Sequence, residues 1–182
     1  MSSLKLKHSG GNSVSIAAPS SNPASNRTLT VPSNADGTIL TNSTPGCILQ
    51  VINGSTTSLF TTTSATFADI GLSASITPTS SSNKILVFGN IGGIETSAAN
   101  TYGRGKLLRD STDIISGIDY GVGFTGDTGR WGGSSSFSIL DSPSTTSAIT
   151  YKIQFNNPQP VGTITVQTNS SRSSIVLMEV AG

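Results

Sequence analysis

The chain has 182 residues, 34% of them hydrophobic and only 10% charged, with a formal net charge of +1. Ten Lys and Arg against nine Asp and Glu leave no clustered basic face of the kind nucleic acid requires. One cysteine, Cys47, excludes an intrachain disulfide, and Ser and Thr at roughly 30% of residues favour turns and strands over helices.

The first 45 residues alternate in short bursts: Leu4-Lys5-Leu6-Lys7, Ser13-Val14-Ser15-Ile16, Arg27-Thr28-Leu29-Thr30-Val31 and Thr38-Ile39-Leu40-Thr41. Period-two alternation is the strand signature. No burst is long or apolar enough to close a core by itself. The segment is therefore expected to be an extended β arm that gains partners by assembly. Leu4, Leu6, Val14, Ile16, Leu29 and Val31 are its anchoring candidates. No apolar h-region marks residues 1–8 as a secretory leader. Runs such as Ile85-Leu86-Val87-Phe88 are too short to span a bilayer.

Asn42-Ser43-Thr44-Pro45-Gly46 breaks the chain, which places the boundary between an arm, 1–45, and a head domain, 46–182. Ten short strands are expected in the head, at 47–53, 65–69, 72–77, 84–91, 102–109, 112–120, 135–140, 148–156, 162–168 and 174–180. Asn53-Gly54, residues 78–83, Gly92-Gly93, 109–112, Asp141-Ser142-Pro143 and Asn157-Pro158 punctuate them as turns. Many short strands with turns between them predict an all-β, antiparallel sandwich of the jelly-roll kind. Tyr151, Ile153 and Phe155 alternate with Lys152 and Gln154, so that strand has one wet face. Ile175-Val176-Leu177-Met178 is continuous, which predicts a central strand covered on both sides. Cys47, in an apolar alternating run, reads as a small buried hydrophobe.

Catalytic chemistry is not expected. His8 is the only histidine and has no carboxylate or nucleophile near it in sequence. Asp110, Asp113, Asp119, Asp127 and Asp141 could in principle supply a glycosidase pair, but turn formation accounts for them. Zinc needs more Cys and His than the chain has, and no EF-hand spacing is present. No metal or other cofactor is therefore expected. The remaining candidate is the glycine-rich stretch 118–133, with Tyr120, Phe124, Asp127, Arg130 and Trp131. Aromatics on such a loop can stack on sugar faces while Asp and Arg bond hydroxyls or charged groups. The competing reading puts Phe124 and Trp131 in the sandwich core or a subunit seam.

Residues 4–23 followed by Arg27-Thr28-Leu29-Thr30-Val31-Pro32 resemble a segment that recurs in tail-fibre and other virion proteins of tailed phages, especially marine cyanophages. Residues 67–87, the run Tyr102-Gly103-Arg104-Gly105-Lys106-Leu107-Leu108-Arg109-Asp110 and the closing Ile175-Val176-Leu177-Met178-Glu179-Val180 resemble the distal domain of such fibres. The resemblance implies a homotrimer with a β-sandwich head, located in the virion. Residues 1–45 would hold other virion proteins, and the head's loops would face a host-surface glycan or protein. The chain is short for a tail fibre and shows no long shaft, so a capsid or tail decoration protein is the alternative. Neither role is enzymatic, and neither implies nucleic acid or membrane insertion.

Overall fold

The computed structural model describes residues 3–7, 9–11, 13–17, 44–118, 131–159 and 161–182. Two compact units divide the chain, Met1–Ile39 and Leu40–Gly182.

In the first unit, β1 (Ser3–Lys7) and β2 (Ser13–Ala17) pair antiparallel. The arm is thus not drawn out as a single extended strand but doubles back, with Gly11 at a φ of 96° just before β2. The register sets Leu4 opposite Ile16 and Leu6 opposite Val14. Lys5 faces Ser15, and Lys7 faces Ser13. By pleat parity the four apolar positions therefore fall on one face of the hairpin.

The second unit is an antiparallel β-sandwich, as the strand spacing predicts. One sheet orders β5 (Ala68–Ile76), β10 (Ile149–Asn156), β7 (Arg104–Arg109) and β8 (Thr112–Ile118). The other is built on the long β6 (Lys84–Thr96), which pairs β9 (Trp131–Asp141) along one side. Along its other side β6 pairs β12 (Ser173–Val180), with β3 (Ile48–Thr56) beyond it. Farther along that side come the short β11 (Ile164–Val166) and β4 (Phe60–Thr62). Inward positions alternate as the pleat requires. Ile70, Leu72, Ile85, Val87, Ile91, Leu107, Tyr151, Ile153, Phe155, Ile175 and Leu177 are each at most 2% exposed and form one core between the sheets.

The structure departs from the sequence expectation at several points. The pieces 65–69 and 72–77 are one strand, β5, because Gly71 takes a φ of 77° where the register against β10 shifts between Lys152 and Gln154. The bulge bends the strand without ending it. Likewise Gly92-Gly93 is no turn: the register against β9 shifts between Ile91 and Ile94, with Gly93 at φ 60°, and β6 runs on to Thr96. Third, β12 is central, between β3 and β6, but only one of its faces is covered. Ser173, Ile175, Leu177 and Glu179 are buried, whereas Val176, Met178 and Val180 remain half-exposed. Cys47 is also half-buried rather than buried, just ahead of β3. Its carbonyl accepts the Ala181 N–H at 2.9 Å, which ties the start of the sandwich to its end.

Candidate functional site

The loop proposed for ligand contact leaves β8 after Ile118 and enters β9 at Trp131, so it joins the edges of two different sheets. Tyr120, Phe124, Asp127 and Arg130 lie outside the described residues, as do His8, Leu29 and Val31. Trp131 is placed through its backbone: the register sets it opposite Thr96 at the start of β9. Beside it, Glu95, Thr96, Ser97 and Thr165 line a depression of about 230 Å³. Of the anchoring candidates, Leu4, Leu6, Val14 and Ile16 come together on the hairpin, and Leu6 is 58% exposed.

Two charged clusters sit inside the sandwich margins. Glu179 is buried at the end of β12, where Oε1 accepts bonds from the Thr79 N–H (2.6 Å), the Thr79 hydroxyl (2.9 Å) and Asn83 Nδ2 (2.6 Å). Oε2 accepts from Gln50 Nε2 at 2.6 Å. Burial alone would raise its pKa, but these donors to the charged form outweigh it and hold the carboxyl below its ordinary value. Gln50 also donates to the Thr77 carbonyl, and Asn83 Oδ1 accepts the Gly182 N–H, so one carboxylate gathers β3, the β5–β6 turn and the C-terminus.

The second cluster joins the sheets. Arg109 Nη1 on β7 donates to both carboxylate oxygens of Asp141 on β9, at 2.8 and 2.7 Å, and the Tyr151 hydroxyl donates to the same carboxylate at 2.7 Å. Burial, and then the neighbouring Asp141, push the Tyr151 phenol strongly upward, so it stays protonated and donating. Asp110, with φ 52°, caps the β7–β8 turn and accepts the Thr150 N–H. Among the described residues no three His, Cys, Asp or Glu side chains gather as metal ligands. Both clusters thus hold structure. Tyr151→Phe is expected to cost about 2 kcal/mol, the worth of a buried hydrogen bond to a charged acceptor. Chemical denaturation reads this, and a variant indistinguishable from wild type would show that the cluster contributes nothing.

The outer sheet faces differ sharply. On the β5–β10–β7–β8 face, Lys152 pairs with Asp69 at 3.0 Å, Gln154 Nε2 donates to Asp69 at 2.7 Å, and Lys106 lies 4.5 Å above the Phe67 ring. On the β3–β12–β6–β9 face, the registers line up Val51, Met178, Leu86 and Leu140 in one cross-strand row. Asn53, Val176, Phe88 and Ser138 form the next row, and Ser55, Ser174, Asn90 and Ser136 the third. Val51 is 54%, Leu140 50% and Phe88 43% exposed. The alternation in Tyr151–Phe155 signalled the wet face; the continuous run in β12 was the sign of the apolar one.

No family model matches the chain, and no curated protein matches it. Among the solved structures that do is "Structure of infectious bursal disease virus Gt strain", at a TM-score of 0.45 and 14% identity. The alignment covers 94% of this chain and 48% of that one, so this chain spans about half the length of its structural neighbour.

Proposed function

We propose that the chain is a structural protein of a tailed-phage virion, a short tail fibre or receptor-binding spike that attaches the particle to its host. The observation that carries this reading is the division of labour along the chain. A two-stranded hairpin with its apolar positions on one face, and Leu6 exposed, forms a unit separate from a sandwich whose core is filled by its own strands. An isolated two-stranded hairpin is marginal in water and gains stability from a surface to lie on. Residues 1–45 then serve as the anchor, holding other virion proteins, and the sandwich as the head. The resemblance to phage fibre proteins supplies the homotrimer and the host-facing role. Three weak sites on one tip attach by avidity, without any single tight contact. The ligand would be a surface glycan or protein met by the loop between β8 and β9.

A capsid or tail decoration protein is the second reading. The hairpin favours it, since two short strands with their apolar positions on one face suit lying across a shell protein. Competition and imaging separate the two. Excess purified full-length chain is expected to slow adsorption of the phage that encodes it at least tenfold, and antibody labelling should mark the tail tip. Unchanged adsorption together with label spread over the capsid would overturn the fibre role and leave decoration.

A further inference from the structure

The row Val51, Met178, Leu86 and Leu140 stands as a ridge across four strands, about 14 Å at ordinary strand spacing. Beside it lies a hollow of about 530 Å³ lined by Phe88, Asn90, Ser136, Ser138, Ser174 and Val176. The side chains explain the relief: large aliphatics occupy one row, and serines occupy most of the third. Among the described residues none of the three rows carries an ionisable side chain; Lys84, opposite Val180, and Arg172, two positions before Ser174, stand at their two margins. The same sandwich turns an ion-paired, polar face outward on its other side. A monomer has no use for such an asymmetry, because exposed contiguous apolar surface is a site of association.

We infer that this face binds a second copy of the chain, sheet against sheet, about a two-fold axis. Two features select a copy over a foreign partner. Ridge and hollow lie side by side on one face. A two-fold axis in the plane of the interface, running along the Phe88 row, lays the ridge of each copy into the hollow of the other. That is the self-complementarity an isologous contact needs. Next, the rows themselves carry no charge, so nothing in them invites a charged ligand. The pattern in β12 agrees: its continuous apolar run suits a strand covered on both sides, and the head alone covers one. The contact is independent of whatever residues 1–45 hold.

Sedimentation of the full-length chain tests it. Wild type is expected to contain an even number of copies, two by this contact alone and six where residues 1–45 also hold three chains together. Leu140→Asp should halve the mass at equal concentration with an unchanged far-UV spectrum, while Lys152→Glu on the opposite face should leave the mass as it was. Positions on the Phe88 row meet their own equivalents across the axis. In a Cys47→Ser background, Ser138→Cys with a short bismaleimide should therefore give covalent dimers and nothing larger. A folded Leu140→Asp protein of unchanged mass overturns the inference. So does a wild-type chain that stays monomeric at about 100 µM, and so do cross-linked products larger than dimers.

Discussion

Replacing Glu179 with alanine is expected to destabilise the sandwich by about 3 kcal/mol, the upper part of the range for stranding a buried polar group. The carboxylate is fully buried, and it survives there because four donors converge on it from Thr79, Asn83 and Gln50. Removing it strands the buried Asn83 amide and leaves the Thr79 and Gln50 donors to find water. The loss then spreads along the bonds they make elsewhere: Gln50 to the Thr77 carbonyl and Asn83 to the Gly182 N–H. Glu179→Gln keeps the shape and one acceptor oxygen but turns an NH2 group toward a donor, so it should cost about half as much. Urea denaturation measures both.

The pH dependence follows with a definite sign. A carboxyl whose folded pKa is lowered stabilises above its unfolded value, and that stability is lost as pH falls through the folded one. The wild type should therefore hold this contribution at and above its ordinary value of about 4.5, and lose it progressively below. The Glu179→Ala protein should show a flatter curve in that range. Parallel curves for the two proteins below pH 4.5 would mean that Glu179 is not held ionised in the native state.

None of this cluster was legible in the sequence. Glu179 closes an apolar run, and its partners lie 96 to 129 positions away, at Asn83, Thr79 and Gln50. Only the sheet order β3–β12–β6 brings them together. The same holds for Asp141, which reads as a turn residue before Ser142 and Pro143 yet faces Arg109 and Tyr151 across the sandwich. What the sequence does carry is period and punctuation. Lys152 and Gln154 between Tyr151, Ile153 and Phe155 mark the face of β10 correctly, because burial alternates with the pleat. Punctuation misleads where a glycine serves a bulge. Gly71 and Gly93 have positive φ inside continuous strands, and a local reading has no way to tell that from a turn.

Asn53-Gly54 is the most instructive of these cases, and it carries the second large effect. As a dipeptide it is a strong hairpin turn, yet Gly54 sits within β3, paired with Ile175 of β12. The reason for glycine lies in the other sheet. A Cβ at this position would be driven into the backbone carbonyl of Ser73 on β5. A carbonyl in a paired strand cannot swing aside as a side-chain tip can: Ser73 is held in register against Lys152. Gly54→Ala must therefore push β3 away from β5, and β3 carries the inward Ile52 and Gln50 with it. The expected cost is about 3 kcal/mol, the upper part of the range for overpacking, although an ordinary strand position would gain from the same change. Chemical denaturation of Gly54→Ala beside Gly132→Ala separates the two situations, since a Cβ at Gly132 meets nothing closer than 3.4 Å. Equal stability of the two variants would mean that the sandwich edges stand farther apart than the close approach of Gly54 to Ser73 requires.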